Sequence, residues 1–263
     1  MPEGDTIFRT AARLRPVLAG RTIEAARARD PAFPAATLLG RTIAGVEAHG
    51  KHLLMPLDDQ RTIHSHLGLH GSWHMYQPGE PWRKDRRQAA LVLDVPNSVC
   101  ICFSPKLLQL LSADQLRHHV HLTRLGPDLL AERVDDAEVL RRFRTHDPTP
   151  IGEAVMNQTI VAGIGNVYKS EILFLTRINP LLPVSRLSDQ QILQVAQTAR
   201  RWMAKNLAGY PRRTRPALDG QRLWVYGRGG KPCFECGRLI QVRRQGDLGR
   251  TTYWCPECQA AEQ

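Results

Sequence analysis

The amino-acid sequence predicts an α+β protein with an N-terminal β-sandwich, a C-terminal helical domain and a cysteine-rich module at its end. Three observations support this prediction. Between Arg21 and Pro105, short β-rich segments alternate with turns, as do the antiparallel strands of a sandwich or flattened barrel. After Ser112 the apolar residues recur with the helical period, and the end of the chain carries two Cys-x-x-Cys pairs. The domain boundaries that we expect are 1–111, 112–222 and 223–263.

The first element is predicted to be an amphipathic helix over residues 4–19, which Gly20 ends. Its apolar face consists of Ile7, Ala11, Leu14 and Leu18. Pro16 cannot donate a hydrogen bond to the carbonyl of Ala12, so we expect a kink or an early end there.

The following elements are predicted from the change of period. Strands are expected at Thr42–Val46, His52–Leu57, Arg61–His66, Ser72–Tyr76, Ala89–Val95 and Val99–Phe103. Helices are expected near 113–120, 135–144, 150–158, 166–177 and 189–207. Two of them begin with capping-box patterns, Ser112-x-x-Gln115 and Ser188-x-x-Gln191.

Charge limits the classes of partner. The 263 residues include 36 Lys and Arg against 25 Asp and Glu, a net charge of +11, which favours a polyanion such as nucleic acid. The competing polyanion is a membrane surface. However, no apolar run is long enough to span a bilayer, and residues 1–20 lack a signal-peptide core. We therefore expect a cytoplasmic monomer with no membrane partner.

Six cysteines in a cytoplasmic chain point to a metal site rather than to disulfides. Cys233-x-x-Cys236 and Cys255-x-x-Cys258 are separated by eighteen residues, a spacing typical of a tetrahedral Cys₄ zinc site. Because four protein ligands leave no open position, the predicted Zn²⁺ is structural. Between the pairs, residues 239–242 and 249–254 are expected to form a β-hairpin. The other cysteines, Cys100 and Cys102, are predicted to lie in the core.

The positive charge is concentrated near this module. Residues 201–250 contain twelve Lys and Arg against three acids, as expected for a surface that binds a phosphate backbone.

The N-terminus could supply a nucleophile. If Met1 is removed, Pro2 begins the chain with a secondary amine, whose pKa near neutrality leaves part of it unprotonated. An iminium formed from it keeps its positive charge and withdraws electrons, and the neighbouring Glu3 could donate a proton. Pro followed by an acid is also typical of the first turn of a helix, and this dipeptide alone does not decide between the two interpretations.

Other candidate positions give weaker signals. Residues 162–168 place a glycine-rich turn before a helix, and Asn166 is a suitable N-cap or phosphate ligand. In the same stretch, Lys169 and Glu171 could be ordinary surface residues. Lys51 follows Gly50 at a strand edge, where a lysine is usually solvated.

The histidines are also ambiguous as ligands. His64 and His66 share one face of a strand and could bind a metal, although hydrogen-bonded histidines are more common there. We expect the group at a helix end, His118, His119 and His121, to be solvated.

Four motifs together resemble the formamidopyrimidine-DNA glycosylase and endonuclease VIII family. They are Met-Pro-Glu-Gly at the start, Gly50-Lys51, Gly-Ile-Gly-Asn-Val-Tyr at 163–168 and Gly-Arg-x-x-Tyr-Trp-Cys-Pro-x-Cys at 249–258. The resemblance covers residues 2–258. It implies a bifunctional base-excision enzyme that acts on damaged double-stranded DNA, with a helix-two-turns-helix element and a zinc finger.

The resemblance also implies roles for individual residues. Pro2 would attack C1′ and form a Schiff base, and Glu3 would donate a proton. Lys51 matches the lysine linked to β-elimination, and Arg250 matches the phosphate-binding arginine linked to δ-elimination. Further DNA-binding positions are implied at Leu69, the intercalating wedge, and at Arg124 and Asn166.

One departure from the family pattern bears on the substrate. Where purine-specific members carry an Arg-Arg-Phe-Gly run, this chain has residues 103–110 without it, which favours the endonuclease VIII branch and oxidised pyrimidines. Two alternatives stay open, namely a purine-directed glycosylase and a zinc-finger DNA-binding protein without catalysis.

Overall fold

The computed structural model describes residues 2–209, 211–247 and 249–260, and the chain divides into two units, Met1–Arg124 and Leu125–Gln263. Among the described residues, no helix combines the length and the apolar character that crossing a bilayer requires.

The N-terminal unit is a β-sandwich with a leading helix and two short helices. Its helices are α1 (Gly4–Leu18), α2 (Ala113–Arg117) and α3 (Val120–Thr123). Its strands are β1 (Arg21–Thr22), β2 (Ala25–Ala28), β3 (Thr42–Ile43), β4 (Glu47–His49), β5 (His52–Pro56), β6 (Thr62–His66), β7 (Ser72–Tyr76), β8 (Ala89–Val95), β9 (Ser98–Phe103) and β10 (Leu107–Leu111). Two antiparallel sheets have the orders β10-β6-β5-β4 and β2-β8-β9-β7, and β1 pairs with β3. The predicted sandwich is therefore confirmed.

The core of this unit follows from the alternation of side chains along each strand. Leu53 and Met55 of β5 point inward, while His52 points to the other face of the same sheet. Cys100 and Cys102 of β9 are fully buried in the same core, as predicted. Helix α1 contributes the apolar face predicted from its sequence.

Two expectations about this unit need correction. Of the two outcomes expected at Pro16, the early end does not occur, because helix α1 continues through Pro16 to Leu18. Pro16 is exposed and near the C-terminal end, so the lost hydrogen bond leaves the Ala12 carbonyl on the solvent side, where water can satisfy it. The predicted strand Thr42–Val46 contains only two strand residues, and β1, β2, β4 and β10 were missed. Because the sequence of β10, Leu-Leu-Gln-Leu-Leu, does not alternate, its period gave no strand signal.

The C-terminal unit contains helices and one hairpin. Its helices are α4 (Asp136–Arg144), α5 (Ile151–Ala154), α6 (Asn166–Leu175) and α7 (Asp189–Lys205), and its strands are β11 (Gln241–Gln245) and β12 (Arg250–Trp254). Both predicted capping boxes are present, at Ser112 before α2 of the N-terminal unit and at Ser188 before α7. Helix α5 is a single turn, shorter than predicted, and the hairpin lies where expected.

Candidate active site and nucleic-acid interface

The N-terminal candidate residues lie at the start of α1. Pro2 is partly exposed, whereas Glu3 is fully buried at the N-cap position, and its backbone carbonyl accepts the amides of Thr6 and Ile7 at 2.9 and 3.1 Å. The positive end of the helix dipole favours a carboxylate here. Met1 lies outside the described residues, so its removal stays a prediction.

Lys51 lies at one end of the strands β10, β6 and β5, directly before β5. Gly50 takes a left-handed conformation (φ +56°) in the β4–β5 turn, and Lys51 then leads into His52. His52 pairs with His66 of β6, and His66 pairs in turn with Leu107 of β10. The turn before β5, the loop after β6 and the turn before β10 therefore lie side by side at the same end of these strands.

The loop after β6 carries the predicted wedge residue. Leu69 is 50% exposed, so half of its apolar side chain is available for contact with a partner. The loop is held by two hydrogen bonds, from the Gly71 amide to the Leu67 carbonyl at 2.9 Å and from the Gly68 amide to His66 Nδ1 at 3.2 Å. Leu69 thus projects from a constrained turn, a geometry suited to insertion between stacked bases.

A histidine cluster lies on the outer face of this sheet. His64 and His66 share that face as predicted, whereas the presence of His52 and His119 in the cluster was not predicted. His52 Nδ1 and His64 Nε2 are 2.8 Å apart, and the ring of His64 lies edge-on to that of His119, with centroids 5.1 Å apart. His119 also bonds to Gln109 at 3.2 Å, so its predicted solvation is wrong, whereas His118 and His121 are exposed as expected. The signal available in the sequence was the spacing of His64 and His66 on one strand face.

Burial keeps these imidazoles neutral. Burial first, and then the neighbouring histidines, lowers the pKa of His52 to about 2, and burial with His119 lowers that of His64 to about 4. Burial, followed by the ammonium groups of Lys51 and Lys106, lowers the pKa of His66 to about 4. Neutral His66 can therefore accept the Gly68 amide at Nδ1.

In the C-terminal unit, the structure brings Asn166 and Arg250 to neighbouring positions. The N-cap of α6 is Gly165, so the prediction of Asn166 as N-cap was wrong, and Asn166 is the first helical residue. Its Nδ2 donates to the carbonyl of Thr251 at 2.8 Å, which joins the helix N-terminus to the strand that begins at Arg250. A helix N-terminus beside a guanidinium favours a bound anion.

Lys169 and Glu171 are not surface residues, contrary to the sequence-based interpretation. Lys169 is 1% exposed and donates to Thr252 Oγ1 at 2.7 Å, while Glu171 is fully buried. The signal that could have shown this is the apolar character of α6, in which most residues are buried on all sides.

The Glu171 carboxylate accepts four hydrogen bonds from the segment before the cysteine module. Oε1 accepts the amides of Val225 and Tyr226 at 2.9 and 2.8 Å, and Oε2 accepts the amide of Trp224 at 2.8 Å and the hydroxyl of Thr214. Burial raises the pKa of Glu171, and the four donors oppose this rise.

The four predicted metal ligands meet in one place. The Sγ atoms of Cys233, Cys236, Cys255 and Cys258 all lie within 4.8 Å of one another. The Cys233–Cys258 and Cys236–Cys255 pairs are 3.9 and 3.4 Å apart, close to the roughly 3.8 Å expected of thiolates around a tetrahedral Zn²⁺. This donor set can hold a metal ion and fits zinc.

The predicted site residues thus fall into two groups. Pro2, Glu3, Lys51 and Leu69 belong to the N-terminal unit, and Arg124 is its exposed last residue, at the C-cap of α3. The C-terminal unit contains Asn166, Arg250 and the four cysteines.

Two family models match the chain. The model of the formamidopyrimidine-DNA glycosylase N-terminal domain matches residues 1–105, and that of the formamidopyrimidine-DNA glycosylase H2TH domain matches residues 125–213.

Full-length relatives extend these matches. A probable endonuclease 8 2 of Streptomyces coelicolor is 39% identical over 99% of this chain and 94% of its own length. The DNA-(apurinic or apyrimidinic site) lyase Nei2 of Mycolicibacterium smegmatis is 36% identical over 99% of this chain and all of its own. The Lactococcus lactis Fpg structure in complex with N7-benzyl-Fapy-dG DNA covers 98% of this chain and 100% of its own, with a TM-score of 0.84 and 26% identity. From these matches along nearly its whole length, the chain belongs to the formamidopyrimidine-DNA glycosylase family.

Proposed function

We propose that this protein is a bifunctional DNA glycosylase and abasic-site lyase of the endonuclease 8 type, acting in base excision repair. The observation that carries the proposal is the partly exposed Pro2 followed by the fully buried Glu3 at the start of α1, in a chain 36–39% identical to an endonuclease 8 and an abasic-site lyase. Its substrate is damaged double-stranded DNA, and it acts as a monomer.

The chemistry begins at the amine of Pro2. Its nitrogen attacks C1′ of the damaged nucleotide, the C1′–base bond breaks, and the base leaves with a proton that Glu3 supplies. Loss of the proline N–H proton and cleavage of the C1′–O4′ bond, with a proton delivered to O4′, then open the sugar and give an iminium. The iminium withdraws electrons and acidifies the C2′ hydrogen. Loss of that proton expels the 3′ phosphate by β-elimination, and a further elimination releases the 5′ phosphate.

The other residues bind and orient the DNA. Lys51 neutralises the phosphate beside the lesion and assists β-elimination, and Arg250 and Asn166 position a phosphate for δ-elimination. Leu69 fills part of the space left when the target base rotates out of the stack, and Arg124 contacts DNA. One Zn²⁺, held by the four thiolates, folds the hairpin that carries Arg250.

The proposed substrates are oxidised pyrimidines. The connection between β9 and β10 comprises residues 104–106, and residues 103–110 lack the Arg-Arg-Phe-Gly run that purine-specific members carry. Single-lesion duplexes test this preference. We expect faster release of 5-hydroxycytosine than of 8-oxoguanine, and the opposite order would support the purine-directed alternative.

Borohydride trapping tests the chemistry itself. Wild-type protein should form a covalent adduct with an abasic duplex, because borohydride reduces the iminium. Pro2→Gly should give at least about a hundredfold less trapped adduct than the wild-type protein, and protein that retains Met1 should give none. If the wild-type protein binds the duplex and forms no adduct, the alternative of a DNA-binding protein without catalysis is correct.

A further inference from the structure

The β9–β10 turn places Lys106 at the same end of the sheet as the loop that carries Leu69. The turn consists of Ser104, Pro105 and Lys106, and the Lys106 amide donates to the His66 carbonyl at 2.9 Å. His66 pairs with Leu107 on one side and with His52 on the other. Lys106 immediately precedes Leu107, and Lys51 immediately precedes His52. The backbones of the two lysines are therefore about two strand spacings, or about 10 Å, apart.

The loop that carries Leu69 emerges from β6, between these two lysines. Strand β6 lies between β10 and β5 and ends at His66. On one side of it β10 begins directly after Lys106, and on the other side β5 begins directly after Lys51. Both ammonium groups are close enough to His66 to lower its pKa, after the larger effect of burial. The wedge is thus flanked by a positive charge on each side.

Lys106 is presented by a constrained turn. Ser104 adopts a left-handed conformation (φ +42°), which is uncommon for a residue other than glycine, and its amide donates to the Gln88 carbonyl at 2.9 Å. Pro105 has a fixed φ. The position of Lys106 is therefore set by the sheet and by the turn.

The stem of Lys106 packs against the wedge loop, while the residue as a whole is exposed. Gly68 has φ +63°, and a Cβ built on it would lie 2.7 Å from Cβ of Lys106. Only a glycine permits this approach, so the loop and the Lys106 stem form one packed unit. The charged end extends beyond that contact into water.

We propose that Lys106 is a further DNA-binding residue, which binds a phosphate of the undamaged strand while Lys51 binds the damaged strand on the other side of Leu69. This inference rests on the proposed function, which places Lys51 beside the lesion. An ammonium is a compact charge suited to a phosphate. The separation of about 10 Å allows one lysine on each rim of a minor groove about 6 Å wide.

Lys106→Met tests the charge while keeping an apolar stem against Gly68. Binding is measured with a duplex that carries a tetrahydrofuran abasic analogue, so the readout does not depend on catalysis. We expect about tenfold weaker binding and a salt dependence reduced by about one phosphate contact. Lys106→Arg should restore most of the affinity. The control is Arg27→Met, which removes one charge from the edge strand β2, where Arg27 pairs with Asp94 at 2.8 Å.

Neutral methylphosphonates locate the contact. Each phosphate within three nucleotides of the unpaired base in the undamaged strand is replaced in turn. One replacement should weaken wild-type binding about tenfold and leave Lys106→Met unaffected. If no position in the undamaged strand shows this dependence, or if Lys106→Met binds like Arg27→Met, the inference is wrong. Failure of borohydride trapping with intact binding would instead overturn only the proposed catalysis.

Discussion

The outer face of the N-terminal sheet and the segment before the cysteine hairpin both bury polar side chains, but their backbones depend on those side chains to different extents. On the sheet, strands β5, β6 and β10 satisfy one another's backbone groups, and the histidines bond mainly to other side chains. Nδ1 of His64 is buried and has no hydrogen-bond partner among the described residues.

The segment between α7 and β11 has no such ladder. Its described residues form no helix and no strand beyond an isolated bridge between Pro232 and Leu239. Three consecutive amides there depend on Glu171 for an acceptor, that of Val225 buried and those of Trp224 and Tyr226 partly buried. The cost of removing a buried polar side chain therefore depends on how many backbone groups it satisfies.

The largest effect should follow loss of the metal, because the four thiolates that would hold it come from both ends of the cysteine module, Cys233 and Cys236 before the hairpin and Cys255 and Cys258 after it. Cys236 is an exposed ligand, so Cys236→Ser removes one thiolate without opening a core cavity. Structural zinc contributes on the order of 10 kcal/mol to the folding of such modules. We expect loss of bound zinc and of hydrogen-exchange protection across β11 and β12.

The control is Cys100→Ser, which alters a buried cysteine outside the ligand set and should retain zinc. Loss of zinc together with normal protection in Cys236→Ser would show that the hairpin does not depend on the metal.

The next largest effect should follow Glu171→Ala. The substitution leaves three amides and the Thr214 hydroxyl without their acceptor, and each buried unsatisfied group costs about 1–3 kcal/mol. Because the segment can rearrange toward water, we expect a total of about 4 kcal/mol. The measurement is hydrogen exchange at Trp224, Val225 and Tyr226.

Glu171→Gln is the matched variant. Its amide keeps one oxygen as an acceptor and directs N–H groups at the other donors, so about half of the effect should remain. Unchanged hydrogen exchange in Glu171→Ala would show that the backbone of this segment does not depend on the Glu171 carboxylate.

The features predicted from the sequence are those that local chemistry determines. The cysteine spacing predicted the ligand set, the period predicted most strands, and Ser112 and Ser188 predicted two helix starts. The register of β6 against its two neighbours could not be predicted, and with it the position of Lys106 was missed.

The burial of Glu171 also depended on tertiary structure. Its partners lie more than forty positions away, and no local signal indicates that a distant segment will direct amides at one carboxylate. Likewise, the contact of His119 with His64 requires that α3 return to the face of the sheet.

A smaller effect should appear in the stability of the N-terminal unit, whose free energy of unfolding should depend on pH. An unfolded histidine has a pKa of about 6.5, whereas His64 and His52 titrate in the folded protein at about 4 and about 2. As the pH falls below about 6.5, the unfolded chain binds protons that the folded chain does not, so stability falls with pH. Each buried histidine contributes up to about 1.4 kcal/mol per pH unit.

In the window from pH 6.5 to 5 the lowered pKa values of Asp59 and Glu138 have no effect, because they change stability only below their unfolded values. The raised pKa of Glu171 acts in the opposite direction to the histidines, so a loss of stability in this window comes from the histidines. Urea unfolding at pH 7.5 and 5 should show a loss of at least about 2 kcal/mol. His118→Gln, at an exposed position, should show the same loss. A flat profile would mean that the cluster takes up protons while folded.

The smallest effect at neutral pH should follow His64→Leu, the counterpart of Glu171→Ala on the sheet. The substitution removes a buried nitrogen that has no partner, adds apolar contact beside Leu54, and costs the bond to His52, whereas the β6 backbone keeps its ladder. These contributions nearly cancel, so we expect a change within about 1 kcal/mol at pH 7.5. At pH 5 the variant should be more stable than the wild-type protein, because one group that must be neutral in the folded state is gone. A loss of more than about 3 kcal/mol at pH 7.5 would place the histidine pair with Glu171, as a polar contact on which the local fold depends.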